Sequence, residues 1–305
     1  MRSLSKRRRR HSRSKPTLGQ GRKRGKLPRR SRPTGSRLRA LFHARTGPRD
    51  RVGIVRVQGI KFREEFSFVL SELRSYGVRV DKCVYHVGKR LPNSLILINR
   101  ANGSRTIVHH RDLPELTFDD FTSKIDLKDY KWIHFEGRNA SHVSKMIHAI
   151  RQYNNNSSQE SSKITISVEI EKTKPEIQSL LPEGDVVFIS KDFSRHHGCQ
   201  TASEALRHFA SKTRPQAKLI CAWGEEGAYA TEKDAETGKI SEIYESPAFP
   251  PPVVIDTLGA GDTFNATVID CLNKGQDLQE AIVKGCKIAG KKCGQEGHKG
   301  LILHY

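Results

Sequence analysis

Residues 253–265 read VVIDTLGAGDTFN, and this stretch decides the predicted fold of the chain. Its first three residues, Val253, Val254 and Ile255, are β-branched and apolar, which predicts the end of a buried strand. Two glycines, Gly259 and Gly261, then allow a tight turn. Apolar residues at a helical spacing follow and place a helix start at Asp262; they are Phe264, Val268, Ile269 and Leu272. The stretch therefore predicts a strand, a glycine turn and a helix N-terminus.

The predicted helix N-terminus is a candidate anion site. The first N–H groups of a helix have no intrahelical acceptor and lie at the positive end of the helix dipole, so a phosphate group binds there readily. A carboxylate such as that of Asp262 would lie close to a transferred phosphoryl group and could accept the proton of an attacking hydroxyl. The alternative is that Asp262 only caps the helix, as Asp does at many helix starts.

The string DTLGAGDTF, residues 256–264, resembles the C-terminal signature of the PfkB-type sugar kinases, a ribokinase-like family. The resemblance implies that Asp262 is the catalytic base and contacts the substrate. It also implies that the backbone N–H groups of Gly259, Ala260 and Gly261 form an anion hole for the phosphoryl group. The implied cosubstrate is ATP with Mg²⁺. The family's Asn-x-x-Glu magnesium motif reads SKDF at residues 190–193, so the sequence assigns no metal ligand.

Four further blocks resemble the same family, in the same order, and are most similar to its fructose-phosphorylating members. The blocks are NGSRTIV (102–108), KWIHFEGRNAS (131–141), DVVFISKD (185–192) and CAWGEEGAYA (221–230). With the signature stretch, the similarity extends from about residue 66 to residue 297. The resemblance therefore implies fructose as the substrate that receives the phosphoryl group.

Two of these blocks supply candidate nucleotide-binding residues. The resemblance implies that Arg105 contacts the nucleotide phosphates and that Gly224, Glu225, Glu226 and Gly227 form part of the nucleotide pocket. As residue types alone, Gly224 and Gly227 are turn residues after a predicted strand. Arg105 alone is most often a solvated charge at a sheet edge.

The last predicted helix begins at Asp277, with Glu280 three residues later as a capping box. The resemblance implies that Ala289 and Cys293 of this helix line the adenine base. As residue types alone they are core packing.

The middle of the chain alternates strand and helix patterns. Strands are predicted at residues 132–135, 164–170, 186–190 and 219–222, with helices at 64–75, 142–152, 175–181 and 202–212. This alternation predicts an α/β fold with a doubly wound, mostly parallel sheet. Ligands bind such sheets at the carboxyl ends of the strands, where Glu136, Lys191, Gly224 and Asp262 fall. Glu136 is also close enough in sequence to Arg138 to form an ordinary loop ion pair.

Residues 95–98 and 106–108 are short β-rich runs around Asn102-Gly103, which predicts a β-hairpin. Related family enzymes are often dimers joined by β-strand clasps. The resemblance therefore implies a homodimer formed through the hairpin of residues 95–108.

Residues 1–51 form a basic, low-complexity arm. Residues 1–50 contain 19 Lys or Arg and a single acid, Asp50, so they carry +18 of the net charge of +21. Such a composition predicts disorder and either nuclear targeting or non-specific nucleic-acid binding. An incidental or wrongly joined N-terminus is the alternative. Residues 60–305 are predicted to form the kinase domain.

The predicted domain lacks two features of the family. The first is an initial strand that carries a sugar-binding Asp, and the second is a glycine-glycine-asparagine motif. Residues 1–60 contain no Asn, and their single Asp is Asp50, which lies among basic residues. The competing hypotheses are therefore an impaired nucleotide-binding relative without a sugar site, or an interaction protein that acts through its basic arm.

Six scattered cysteines with no Cys-x-x-Cys pair indicate neither a zinc site nor a disulfide framework. Reduced, buried thiols and the lack of a long apolar run predict a cytoplasmic protein, or a nuclear one if the arm is a genuine part of the protein.

Overall fold

The computed structural model describes residues 52–53, 57–60, 63–98 and 105–301, and strands and helices alternate through the middle of this part of the chain. The strands are β1 (Val52–Gly53), β2 (Val57–Ile60), β3 (Val84–Val87), β4 (Asn93–Ile98), β5 (Arg105–His110), β6 (Trp132–Glu136), β7 (Thr165–Ile170), β8 (Val186–Ser190), β9 (Lys218–Ala222), β10 (Ala228–Glu232) and β11 (Tyr244–Ser246). The helices are α1 (Arg63–Ser75), α2 (Phe118–Lys124), α3 (Ala140–Asn156), α4 (Lys191–His196), α5 (Ala202–Ala210), α6 (Ala260–Asn273) and α7 (Leu278–Cys293). The predicted basic arm, residues 1–51, lies outside the described residues.

The central sheet has seven strands among these elements, in the order β1, β6, β7, β8, β9, β10, β11. The pairs from β1 to β9 are parallel, whereas β10 pairs antiparallel with β9 and β11. Each connection between successive parallel strands contains a helix, which between β7 and β8 is the 3-10 helix Pro175–Leu180, because parallel strands cannot be joined by a tight turn. The predicted doubly wound, mostly parallel α/β fold is confirmed.

The sheet is apolar on both faces because each face is covered by helices. In β8, Val187 and Ile189 belong to a core with α2, α3, α4 and α5, while Val186 and Phe188 belong to a second core with α6 and α7. Successive side chains of a strand point to opposite faces, so one short run of apolar residues contributes to both cores. A continuous apolar run therefore marks a central strand here.

Most predicted elements agree with the structure to within a few residues. The strand predicted at 186–190 matches β8, and the helix predicted from Asp277 is α7, with the Asp277 carboxylate accepting the Glu280 N–H at 2.7 Å. The predicted helix at 175–181 is a 3-10 helix, Pro175–Leu180. The short helices α2 and α4 were not predicted. Helices of seven and six residues make fewer than two full turns, which is too short to show a 3.6-residue period clearly.

The prediction of a buried strand end at residues 253–255 is wrong. The segment is not a strand, and Val253, Val254 and Ile255 are 68%, 58% and 56% exposed. Three prolines precede it at 250–252, and proline has no N–H group to donate to a sheet ladder. The Ile255 N–H instead donates to the Cys293 carbonyl at 2.8 Å, at the end of α7. The β-branched residues thus form a connection that lies against a helix end.

The predicted hairpin consists of β4 and β5, which pair antiparallel as a separate two-stranded sheet. Its predicted turn at Asn102-Gly103 lies outside the described residues. One face of the hairpin carries Leu95, Leu97 and Val108, which are 58%, 55% and 58% exposed. An apolar face is therefore presented to solvent in the single chain.

Next to β6 the described sheet ends with β1, which is only two residues long. The described residues contain no longer strand at that edge. None of their helices has both the length and the apolar composition needed to cross a membrane.

Candidate active site

The glycine turn and helix start predicted at 259–262 are present at the N-terminus of α6. Gly259 is the N-cap residue with φ of 78°, and Asp262 is the third residue of the 14-residue helix. The Gly259 carbonyl accepts hydrogen bonds from the Thr263 N–H at 2.9 Å and the Thr263 hydroxyl at 2.8 Å. The Ala260 N–H donates to the Thr257 carbonyl at 3.2 Å, so within the turn it already has an acceptor. The half-buried Asp262 carboxylate stands in the first turn, beside the positive end of the helix dipole.

The two glycines of this turn lie in different surroundings. Gly259 has a positive φ, and a Cβ atom added there would lie 2.6 Å from His298 Nε2. A Cβ atom added at Gly261 would meet nothing within 4 Å. Neither backbone strain nor packing thus demands a glycine at 261. The open space at this position, which we call the cradle, leaves room for an anionic group beside the helix N-terminus.

Gly261→Ala is predicted to separate function from stability. A methyl group has room at this position and Ala favours helix over Gly, so the free energy of unfolding is expected to stay equal or rise by up to about 1 kcal/mol. The same methyl group fills the cradle, and we expect kcat to fall by roughly 10- to 100-fold. Thermal unfolding and steady-state assays on the same preparation measure both. An unchanged kcat would contradict the assignment of the cradle.

Gly290→Ala is the contrasting variant for that experiment. A Cβ atom there would collide with the Phe249 carbonyl, because the loop before residue 253 packs directly on α7. It is expected to lower the unfolding temperature, which shows that the assay detects glycines required for packing.

A buried ion pair holds the segment that leads into the glycine turn. Lys292 of α7 is 0% exposed, and its Nζ donates to the Asp256 carbonyl at 2.9 Å and to Asp256 Oδ2 at 2.6 Å. Asp256 Oδ1 accepts the Leu258 N–H at 2.9 Å. Burial alone would raise the pKa of Asp256, but the hydrogen bonds from Lys292, Leu258 and Gly297 and the Lys292 charge outweigh it and lower that pKa. Asp256 therefore ties the turn to α7 through a charged contact.

Sequence reasoning missed Lys292. The available signal was its spacing: it continues the buried face of α7 that carries Ala281, Ile282, Gly285 and Cys286. A lysine at such a position is buried only with a partner. Of the two residues predicted to line a base, Ala289 packs at the edge of the core formed with α6 and α7. The Cys293 carbonyl accepts the Ile255 N–H, and burial raises the pKa of the Cys293 thiol.

The predicted nucleotide loop lies at the carboxyl end of β9. Residues Gly224–Glu226 form a 3-10 turn, closed by a hydrogen bond from the Gly227 N–H to the Gly224 carbonyl at 3.1 Å. Gly227 has φ of 99°, and a Cβ atom there would collide with the Ser246 carbonyl. The Glu225 and Glu226 side chains are 83% and 56% exposed. The two glycines thus shape a turn that presents two carboxylates to solvent.

Lys191 joins this loop to the neighbouring strand. It is the first residue of α4, directly after β8, and its side chain is 17% exposed. Its Nζ donates to Glu225 Oε1 at 3.1 Å, Glu226 Oε1 at 3.3 Å and the Trp223 carbonyl at 3.3 Å. The pKa of Glu225 is lowered first by a backbone hydrogen bond and then by the hydrogen bond and positive charge of Lys191. The structure therefore brings Lys191 and the loop that begins at Gly224 together at the carboxyl ends of β8 and β9, as predicted.

A polar contact also joins α6 to the carboxyl-terminal half of β7. Asn265 of α6 donates to Glu169 Oε1 of β7 at 3.0 Å, and Glu169 is the register partner of Glu136 in β6. The Arg138 Nε donates to Glu136 Oε1 at 2.6 Å, so the predicted loop ion pair is present. Arg105 is the first residue of β5 in the separate hairpin, and its side chain is not among the described ones.

A mostly parallel α/β sheet with a glycine turn and a helix N-terminus near the carboxyl ends of its strands is found in many proteins that bind phosphorylated ligands. The chain matches the pfkB family of carbohydrate kinases over residues 64–302, and it belongs to this family. The predicted carbohydrate kinase is thereby confirmed.

Individual relatives agree with this assignment. Ketohexokinase from Mus musculus is 45% identical over 236 residues, which is 77% of this chain and 76% of the mouse protein. Arabidopsis thaliana ribokinase complexed with ribose and ATP superposes with a TM-score of 0.63 at 16% identity, over 80% of this chain and 76% of that one. Ribokinase from Giardia lamblia gives a TM-score of 0.63 at 14% identity, over 81% and 79%. The solved structures establish the shared fold.

Proposed function

We propose that this chain transfers a phosphoryl group from ATP to the 1-hydroxyl of fructose. The observation that carries the proposal is the 45% identity with mouse ketohexokinase over most of both chains. The open space at Gly261 and the carboxylate in the first turn of α6 support the proposal.

In this mechanism Asp262 is the catalytic base and accepts the proton of the attacking fructose hydroxyl. ATP supplies the phosphoryl group. The backbone N–H groups of Gly259, Ala260 and Gly261 form the anion hole, where the helix dipole opposes the negative charge that develops during transfer. The Ala260 N–H would have to share or leave its bond to the Thr257 carbonyl to take part.

For the nucleotide, we propose a pocket formed by the loop Gly224, Glu225, Glu226 and Gly227, with Arg105 directed at the phosphates. The support is the position of this loop at the carboxyl end of β9. We further propose that Ala289 and Cys293 of α7 contact the base.

Mg²⁺ is proposed to enter with the nucleotide. No group of three or more His, Cys, Asp or Glu side chains in the described part of the chain is arranged to hold a metal ion. Mg²⁺ is commonly bound through substrate phosphates and waters with one or two carboxylates.

A homodimer through the hairpin of residues 95–108 is proposed from its exposed apolar face. Leu97→Asp is expected to shift the protein from dimer to monomer in sedimentation velocity, because a charge in an apolar interface costs several kcal/mol. Ser94→Asp places the same charge on the opposite face of β4 and should leave the dimer intact. A wild-type monomer, or equal effects of both variants, would contradict this interface.

We propose a cytoplasmic location. Every cysteine in the described residues is a free thiol, five of the six are buried, and burial raises the pKa of the Cys221 thiol to about 12. Buried, protonated thiols without disulfides are typical of reducing compartments.

The test of the proposed function is ATP-dependent ADP release with fructose, ribose and glucose as competing acceptors. We expect the highest kcat/KM with fructose. ATP binding without fructose-dependent ADP release would instead identify a nucleotide-binding relative that lacks the sugar site.

A further inference from the structure

A histidine outside the signature stretch packs against the glycine turn. His298 lies in the segment after α7, and its ring is hydrogen-bonded to the Gly259 backbone. A Cβ atom at Gly259 would lie 2.6 Å from His298 Nε2 and 3.0 Å from His298 Cε1. The half-buried ring thus occupies the space that a side chain at position 259 would need.

Three charged groups face His298 from the elements packed around it. They are Asp262 of α6, Lys292 of α7 and Asp256 of the connecting segment. Burial first, and then the Lys292 charge, lower the pKa of His298, while Asp262, the Gly259 bond and Asp256 oppose this shift. Since an unperturbed histidine has a pKa near 6.5, the ring is largely uncharged at neutral pH.

We propose that His298 is a positioning residue, which holds the Gly259 end of the turn and thereby aims the anion-hole N–H groups and the Asp262 carboxylate at the transferred phosphoryl group. The inference rests on the proposed function for its catalytic consequence. Its structural basis is the hydrogen bond and the close packing between the ring and Gly259. Neither contact depends on whether Asp262 is a catalytic base or only a helix cap.

Protonation of His298 is expected to lower activity. On acidification the ring gains a positive charge, which attracts the Asp262 carboxylate and makes it a weaker proton acceptor. The same charge is repelled by buried Lys292. As the pH falls, protonation of His298 should therefore reduce activity, and direct protonation of Asp262 should reduce it further.

Two substitutions distinguish positioning from packing. His298→Gln keeps a hydrogen-bond donor but cannot titrate, whereas His298→Phe keeps an aromatic ring but cannot donate. At pH 8 we expect kcat to fall about threefold in His298→Gln and at least about tenfold in His298→Phe, with KM for ATP little changed, because the lost contact aligns transition-state interactions. His148→Gln, on the exposed side of α3, is the matched control and should retain wild-type kcat.

The pH profile supplies a second readout. The acidic limb of kcat/KM should be shallower in His298→Gln than in the wild type, since one of two titrating groups is gone. A fully active His298→Phe beside an impaired His298→Gln would show that the ring only fills space and would overturn the proposal. So would an acidic limb that is the same in both proteins.

A third readout does not depend on turnover. The chain contains 13 histidines, and the His298 resonance in an NMR titration is assigned by its loss in His298→Gln. We expect the pKa of His298 to fall further in Asp262→Asn, because the attraction to the carboxylate is removed. An unchanged pKa overturns the coupling, whereas lack of fructose turnover with the expected pKa change would refute only the proposed function.

Discussion

Asp262→Asn is expected to reduce kcat for fructose phosphorylation by about 10³-fold, within the range of roughly 10²–10⁴ that general-base catalysis contributes. Asparagine has the same shape as aspartate and keeps its position as the third residue of α6. It cannot take up the proton of the attacking hydroxyl. The anion hole consists of backbone groups that the substitution leaves in place, so ATP binding should be nearly unchanged.

The measurement pairs steady-state kinetics with calorimetric titration of ATP. Asp270→Asn is the matched control, because Asp270 lies in the same helix and is bonded to Lys274 at 3.0 Å, remote from the glycine turn. It should retain full activity. If Asp262→Asn keeps more than about a tenth of wild-type kcat, Asp262 is not the base.

Lys292→Met is expected to lower the free energy of unfolding by roughly 2–4 kcal/mol, below the top of the range for a fully buried pair because Asp256 is partly exposed. The lysine side chain is 0% exposed and that of Asp256 is 31% exposed, so a carboxylate would be left partly desolvated without its cation. The Asp256 carbonyl also loses a donor. Because Asp256 leads directly into the glycine turn, kcat should fall as well.

The pH dependence of this loss has a defined direction. Lys292 helps to hold the pKa of Asp256 below its ordinary value, so the pair stabilises the fold above about pH 4 and this contribution is lost as pH falls through the lowered pKa. Urea unfolding should therefore show a larger difference between Lys292→Met and the wild type at pH 7 than in acid.

The double variant Asp256→Asn/Lys292→Met should recover part of the stability, since no charge is left unpaired. Lys291→Met replaces the exposed neighbouring lysine and serves as the control. A cost below about 1 kcal/mol, as found for surface pairs, would show that the Asp256 contact is not structural.

The central part of the fold was predictable because local patterns and packing agree there. β8 is an apolar run of strand length bounded by Gly184 and a polar residue, and both of its faces are buried. Residues 253–255 have a similar composition but follow three prolines and lie against the end of α7. Strand propensity reflects packing in a half-buried sheet, and composition alone does not say whether a sheet is present.

The same distinction applies to the candidate site. Gly259 and Asp262 were found from sequence because a glycine turn and a helix start are local features. Lys292 and His298 lie in and after the next helix, and only the packing of α7 on α6 brings them to the turn. The spacing of Lys292 indicates only that it is buried, and nothing in the sequence around His298 indicates that it packs against the turn.

The most direct test of the account is transfer of labelled phosphate from γ-³²P-labelled ATP with Mg²⁺ to fructose, with the product resolved by chromatography. The account predicts labelled fructose 1-phosphate from the wild-type chain and almost none from Asp262→Asn. No label in fructose from the wild type, or equal label from both proteins, would contradict the claim that the N-terminus of α6 is the active centre.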